Sequence, residues 1–304
     1  MEKVDIIAKL ADIVGDDNIK IDEPMKNHTS FKVGGPADIL VTPSSDIEIR
    51  NVLKFLSETG CPVFIMGNGT NLVVRDKGIR GVVLKIYDNF NNISVDGCTI
   101  TAEAGSLLSV VSKEALKYNL KGMEFASGIP GTIGGAVAMN AGAYGPEMIN
   151  VVDSADVIDR QFNIITLDNK GLEFGYRTSS VSVNGYIVLR ARLKLEMGNH
   201  DEIKDRIDTL TRRRKERQPL NLPSAGSTFK RPEGNFAPKL IEEAGLKGRS
   251  VGDAMVSEMH SGFIVNMGNA SAQDILDLIE IVKKEVYDKF NVMLEPEVKI
   301  VGEE

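Results

Sequence analysis

Six glycines fall within the eighteen residues from Gly128 to Gly145. They lie in the run Gly128-Ile129-Pro130-Gly131-Thr132-Ile133-Gly134-Gly135-Ala136 and its continuation Asn140-Ala141-Gly142-Ala143-Tyr144-Gly145. Glycine is the residue used where backbone takes positive φ or approaches another group closely. Such a stretch has too few bulky side chains for an ordinary core element. Yet Ile129, Ile133, Val137 and Met139 make it too apolar for a solvated linker. Two readings fit these residues: a buried loop lying against a flat or phosphate-bearing cofactor, or a close-packed turn between two strands.

A chain of 304 residues suggests about two domains at roughly 150 residues each, and 42% apolar residues are enough to bury a substantial core. The net charge of −7 argues against a general binder of nucleic acid or anionic membrane, so any anion site must be built locally. No stretch approaches the ~18 consecutive apolar residues of a membrane span. Cys61 and Cys98 match no metal spacing. With a charged N-terminus lacking a signal-type apolar run, they fit a reducing cytoplasm. His28, His200 and His260 lie far apart and form no metal motif, so no metal is expected.

Along the chain, Val4, Ile7, Leu10, Ile13 and Val14 recur at helical spacing, and Ala37 to Val41 reads as a strand closed by Pro43. Ser45 with Glu48 forms a capping box for a helix that buries Ile49, Val52, Leu53 and Leu56 and stops at Gly60. The apolar strand from Pro62 to Met66 leads into Gly67-Asn68-Gly69-Thr70-Asn71-Leu72. That loop is not a dinucleotide fingerprint: Leu72 replaces the third glycine, and Val73 and Val74 continue as strand, not helix. A strand followed by small residues with backbone N–H donors can still hold a diphosphate, although Asn-Gly is also an everyday turn. Further on, Ile93 to Ala104 reads as a hairpin with Asp96-Gly97 in a type I′ turn. Ser106 to Tyr118 reads as a helix with Leu107, Val110, Val111, Ala115 and Leu116 inward. Strands follow at Val151 to Ile158, Asn163 to Leu167 and Tyr186 to Leu195, the last with one face in a core and Arg190, Arg192 and Lys194 on a wet face. Past residue 200 come a charged helical segment ending in Arg212-Arg213-Arg214-Lys215, a loop from Pro223 to Pro232 and a short helix from Pro238 to Ala244. The chain closes with a strand from Ser261 to Asn266, a capped helix from Ser271 to Phe290 and a last strand from Val298 to Val301.

Three polar constellations could carry chemistry. In Tyr176-Arg177-Thr178-Ser179 an arginine sits among small uncharged residues, suited to a carboxylate or a developing oxyanion, or else to pairing with an acid at a strand end. The turn Ala225-Gly226-Ser227-Thr228-Phe229-Lys230 is not a nucleophile elbow and has no histidine close in sequence. Ser227 therefore reads as a proton donor or relay, or as ordinary turn chemistry. In Glu295-Pro296-Glu297-Val298-Lys299, Glu297 and Lys299 share one face of a strand, whether functional or merely solvated.

Taken with Thr29-Ser30-Phe31-Lys32-Val33-Gly34-Gly35-Pro36-Ala37 and Leu294, these runs stand in an order that resembles the UDP-N-acetylenolpyruvoylglucosamine reductase family across nearly the whole chain. The resemblance implies an α+β fold: a vanillyl-alcohol-oxidase-type FAD-binding domain of two α+β subdomains, followed by a C-terminal α+β substrate-binding domain. The corresponding expectation is residues 1–200 for the FAD-binding domain, split near 90–100, and 201–304 for the substrate domain, with the terminal strand returning toward the flavin. Gly67, Asn68, Gly69, Thr70, Asn71 and Leu72 would cradle the FAD diphosphate. Gly128, Ile129, Pro130, Gly131, Thr132, Gly134, Gly135, Ala136, Asn140, Gly142, Ala143, Tyr144 and Gly145, with Ile187, would line the rest of the cofactor. No histidine or cysteine lies in Gly67 to Leu72, so non-covalent FAD is expected.

The implied reaction passes hydride from NADPH through FAD to the enolpyruvyl C3 of a UDP-sugar. Ser227 would protonate C2, while Arg177 and Glu297 polarise the carboxylate. Tyr176, Arg214, Lys230 and Lys299 are the expected substrate contacts. The short region from Tyr186 to Asp201 resembles the family's branch without a tyrosine-bearing insertion. A cytoplasmic monomer acting on a small UDP-sugar, with no nucleic-acid or membrane partner, completes the expectation. The competing readings are a flavin oxidase of the same superfamily and a non-catalytic flavin- or UDP-sugar-binding module.

Overall fold

The structure is a computed structural model describing residues 2–304. The first third contains α1 (Lys3–Val14), β1 (Ile19–Pro24), β2 (Pro36–Val41), α2 (Asp46–Thr59), β3 (Val63–Met66), β4 (Leu72–Val74), β5 (Ile79–Lys85), β6 (Ile93–Asp96) and β7 (Thr99–Glu103). Next come α3 (Leu108–Lys117), β8 (Leu120–Lys121), α4 (Ile133–Ala138), β9 (Val152–Ile158), β10 (Ile164–Asp168), α5 (Ser180–Asn184), β11 (Ile187–Lys194) and β12 (Glu196–Met197). The last third holds α6 (His200–Arg217), α7 (Ala237–Glu243), β13 (Ser250–Val251), β14 (Ala254–Val256), β15 (Ile264–Asn266), α8 (Ala272–Phe290) and β16 (Lys299–Val301). One four-stranded sheet has the order β1-β2-β5-β3. Two compact units divide the chain: Met1–Lys20, Leu40–Asn68 and Val83–Arg213 form the first, and Ile21–Ile39, Gly69–Val82 and Arg214–Glu304 the second.

The first unit is built on the antiparallel sheet β10-β9-β11-β7-β6. Ala191 of β11 stands opposite both Ala155 of β9 and Ala102 of β7, and all three are buried. The side of β11 expected to be wet is instead organised by ion pairs. Asp156 is buried and accepts from both Nη atoms of Arg192 at 2.9 Å and from Thr166 Oγ1 at 2.7 Å. Arg190 pairs with Asp46 in the first turn of α2. Burial alone would raise the Asp156 carboxyl. The hydrogen bonds from Arg192 and Thr166, with the charges of Arg192 and Arg190, outweigh it and hold it below the usual carboxylate range.

Local signals set most helix ends. Ser45 accepts from the Glu48 amide, and Gly60 closes α2 in the left-handed region. Two helices turn a different face inward from the one expected: α1 buries Ile6, Leu10 and Val14 while Val4 is exposed, and α3 buries Leu108, Val111, Ser112 and Ala115 while Val110 is exposed. The β6–β7 register pairs Asp96 with Thr99, so Gly97 and Cys98 form the turn. Of the two only Gly97 has positive φ, which corrects the type I′ expectation because that turn needs positive φ at both central residues.

The second unit has a core in which Phe31, Val33 and Val73 pack with Ile275, Leu278, Ile279, Val282 and Val286 of α8. Its sheet runs β13-β14-β15, and β16 pairs parallel to β4. Ser271 and Asp274 form a reciprocal capping box at the start of α8, as their spacing suggests. The buried Asn266 donates to the Phe31 carbonyl at 3.0 Å, tying an early segment to the late sheet.

Candidate active site

In the first unit the two glycine runs meet. A Cβ at Gly67 would overlap Thr132 Oγ1, so only glycine permits that approach. Asn68 Nδ2 donates to the Pro130 carbonyl at 3.0 Å. The second run is not loop throughout. It contains α4, anchored where Ile133 N donates to Ser106 O and Gly134 N to Ala104 O, both at 2.8 Å. A Cβ at Gly134 would come within 2.9 Å of the Ala104 Cβ, so this glycine serves close packing. Gly135 differs: it is exposed, and the nearest atom to its Cβ would be Thr132 Oγ1 at 3.7 Å.

Among the described residues, no backbone N–H from Asn68 to Asn71 has an acceptor within the chain, whereas the Gly69 and Asn71 carbonyls accept from Ser30 and Lys299. Such unpaired donors beside small residues fit the diphosphate of a dinucleotide cofactor. A cavity of about 540 Å³ in the first unit has Glu124, Tyr144, Gly145, Asn150, Arg206 and Leu210 among its walls. It shares only Tyr144 and Gly145 with the expected cofactor contacts, so it is not the place where the two glycine runs meet. Among the described residues, no cluster of three or more His, Cys, Asp or Glu could hold a metal ion, and no helix is long and apolar enough to cross a membrane.

Arg177 also belongs to the first unit. It occupies a tight turn closed by Gly175 N donating to Thr178 O at 3.0 Å, and it has φ +56°. A non-glycine residue there costs on the order of 1 kcal/mol and persists only where its surroundings hold it. Asn140 and Glu147 surround it. Arg177 Nη1 lies 3.5 Å from both the Asn140 carbonyl and Glu147 Oε1, and the guanidinium sits 5.1 Å from the ring centre of the exposed Tyr176. The sequence reading passed over Glu147. A charged residue two positions after an uncharged glycine-rich run was the signal available.

In the second unit the segment after Ser227 pairs with the segment that holds Glu297. Glu297 N donates to Thr228 O at 2.8 Å, and Phe229 bridges Pro296 in antiparallel fashion. Thr228 is fully buried. Its N–H donates to Gly262 O at 2.8 Å, and its hydroxyl accepts from Ile264 N at 3.2 Å. Ser227 is exposed and Glu297 half-buried. Asn71 Nδ2 donates to the Glu297 carbonyl at 3.1 Å, linking the first glycine run to the same strand entry. Lys230 pairs with Glu295, and Lys299 begins β16 opposite Leu72 with its side chain exposed. Arg214 lies near the end of α6, and Ile187 opens β11, each half-buried.

Known proteins are similar to this chain in sequence and fold. Residues 37–168 match the family described as FAD binding domain, and residues 218–301 match the C-terminal domain of UDP-N-acetylenolpyruvoylglucosamine reductase. The chain is 56% identical, over all 304 residues and the whole of both chains, to the UDP-N-acetylenolpyruvoylglucosamine reductase of Clostridioides difficile strain 630. It is 57% identical to that of Clostridium tetani over 300 residues, 99% of this chain and 97% of the other. Among solved structures, the reductase of that name from Thermus caldophilus superposes with a TM-score of 0.79 at 36% identity, covering 93% of this chain and 97% of that one. A glucose dehydrogenase, Phl p 4.0202, shares the fold alone: its TM-score is 0.52 at 14% identity over 64% of this chain and 44% of the other. The FAD-binding-domain match and the relatives together make this chain an FAD-dependent oxidoreductase. Within that class, the chain belongs to the UDP-N-acetylenolpyruvoylglucosamine reductase family.

Proposed function

We propose that this enzyme reduces the enolpyruvyl group of UDP-N-acetylglucosamine enolpyruvate to give UDP-N-acetylmuramate, with NADPH as hydride donor, in the cytoplasmic synthesis of peptidoglycan precursors. The observation that carries the reading is the backbone pairing of Thr228 with Glu297, which brings the residue after Ser227 opposite Glu297 in a chain of this family. The backbone donors of Asn68 to Asn71 would hold the FAD diphosphate, with Gly67 and the glycines between Gly128 and Gly145 against the rest of the cofactor. Bound FAD supplies the chemistry of accepting hydride from NADPH and delivering it to the substrate's C3.

Hydride arriving at C3 leaves carbanion character at C2, delocalised into the carboxylate. Cationic Arg177 stabilises the negative charge that builds on those oxygens. Ser227 donates its hydroxyl proton to C2, and Glu297, in its protonated form, donates a hydrogen bond to the same carboxylate, since an ionised carboxylate there would repel the charge that builds. Lys230, Lys299 and Arg214 are the cations proposed for the UDP diphosphate, the lysines acting as point charges, and Tyr176 contributes a ring to the same substrate. Lys230 must exchange Glu295 for the phosphate when substrate arrives.

The test is anaerobic mixing of NADPH-reduced holoenzyme with the enolpyruvyl UDP-sugar. Prompt return of the oxidised flavin spectrum, with UDP-N-acetylmuramate as product, is the expected result. Reoxidation by oxygen but not by the UDP-sugar would point to a flavin oxidase instead, and purified protein that takes up no FAD would overturn both readings.

A further inference from the structure

Asn140 stands in the glycine-rich run, yet its side chain is turned to another task. It is buried, has φ +45°, and all of its side-chain hydrogen-bonding atoms are engaged within the first unit. Nδ2 donates to Glu147 Oε2 at 2.8 Å and to the Gly175 carbonyl at 3.0 Å, and Oδ1 accepts from Ile149 N at 3.0 Å. The Gly175 carbonyl is also the base of the Arg177 turn, accepting from Thr178 N at 3.4 Å. Two residues on, Ser179 Oγ donates to the Ala138 carbonyl at 2.9 Å, so the turn is stapled to the glycine run on both sides of Arg177. The remaining oxygens of this group, the Asn140 carbonyl and Glu147 Oε1, both face Arg177 Nη1 at 3.5 Å. That distance is at the limit of a hydrogen bond. Both oxygens meet the guanidinium at this one nitrogen, which directs it.

We propose that Asn140 and Glu147 are positioning residues for Arg177. Asn140 fixes the base of the strained turn that carries it, and Glu147, itself held by Asn140, sets the direction of the guanidinium. This assigns Asn140 a role that runs through Arg177, in place of direct contact with the cofactor. It rests on the reading above that Arg177 meets the substrate carboxylate.

The test is a double-mutant cycle between Asn140→Ala and Arg177→Ala, read separately in the two half-reactions of the holoenzyme. Asn140→Ala is expected to slow flavin reoxidation by the enolpyruvyl UDP-sugar by ~10-fold or more, the scale of a misplaced catalytic group. FAD content and the rate of flavin reduction by NADPH should stay within about twofold of wild type. In the Arg177→Ala background the same change should cost less than about twofold, because residues acting through one another are not additive. An undiminished effect in that background, or slowing of both half-reactions alike, overturns the proposal. Normal reoxidation by Asn140→Ala beside a slow Arg177→Ala overturns it alone. Normal reoxidation by Arg177→Ala removes the underlying reading and the proposal with it. Should Asn140→Ala lose FAD or fail to fold, the cycle is read on Glu147→Gln, which keeps the side chain's shape and removes the charge. Slower reoxidation with a raised substrate KM, absent in the Arg177→Ala background, then supports the proposal, and unchanged reoxidation overturns it.

Discussion

Arg177 and Ser227 are both polar residues in short glycine-containing turns, yet their turns are secured by different means. The side chains of Asn140, Glu147 and Ser179 hold the Arg177 turn. The segment after Ser227 is held chiefly by backbone: Thr228 N–H on Gly262 O, Thr228 O under Glu297 N, and the bridge of Phe229 to Pro296. A side chain can be deleted without disturbing a backbone-paired neighbour, whereas a side-chain clamp fails when one member is lost. The catalytic contribution proposed for Ser227 should therefore separate cleanly from its structural surroundings, and that proposed for Arg177 should not. The largest expected effect breaks the comparison if it fails. Ser227→Ala should slow flavin reoxidation by the UDP-sugar by ~10²- to 10⁴-fold, the range of a lost general acid. Flavin reduction by NADPH and the thermal midpoint should hardly change. Double-mixing stopped flow reads both half-reactions, and equal slowing of the two would show that Ser227 is structural.

The same contrast extends to stability. In the first unit the central charge pairing of the sheet also depends on one side chain, Asp156, between Arg192, Thr166 and Arg190. Its folded pKa lies below the ordinary value near 3.9. A carboxylate shifted in this sense adds stability at pH above that unfolded value and loses it as pH falls through the lower, folded value. Asp156→Asn should cost about 2 kcal/mol at neutral pH, since it leaves Arg192 partly buried without its carboxylate partner. Its urea midpoint should also fall less than that of wild type as the pH drops below the ordinary carboxylate value. Parallel acid profiles for the two proteins would show that the pairing does not govern the stability of this sheet.

What could be read in advance follows from how local each cause is. The Ser45 and Ser271 caps, Gly60 and the alternation of β11 are set by neighbours within a few residues, and all stand where the spacing puts them. The faces of α1 and α3 went astray because each helix carries more apolar residues than its buried stripe uses, and the packing partner chooses among them. β13 and β14, of two and three residues, are too short for alternation to register. The pairing of Thr228 with Glu297 spans most of the second unit's sequence, so no local pattern announces it; the likeness to a known family suggested Ser227 and Glu297, and backbone geometry shows that the residue after Ser227 pairs with Glu297. α4 was hidden for a different reason. Glycine is a poor helix former, but burial of Ile133, Ala136 and Val137 and the two anchors to Ser106 and Ala104 override that propensity.

That helix supplies the smallest and sharpest expected difference, because its two adjacent glycines are there for different causes. At Gly134 an added methyl would meet the Ala104 Cβ at 2.9 Å and its carbonyl at 3.2 Å, so Gly134→Ala should destabilise the protein by about 1–2 kcal/mol through overpacking. At Gly135 the methyl would find space, and relief of glycine's helix penalty should raise stability by about 0.5–1 kcal/mol. If that open side is where the cofactor lies, Gly135→Ala should also weaken FAD binding, measured by fluorescence titration of the apoprotein, while Gly134→Ala changes the unfolding midpoint more than the affinity. Opposite shifts in the two quantities would separate packing glycine from ligand-facing glycine within one helical turn. If both substitutions lower stability and leave FAD affinity unchanged, α4 is a packing element throughout, and the cofactor must rely on the backbone donors of Asn68 to Asn71.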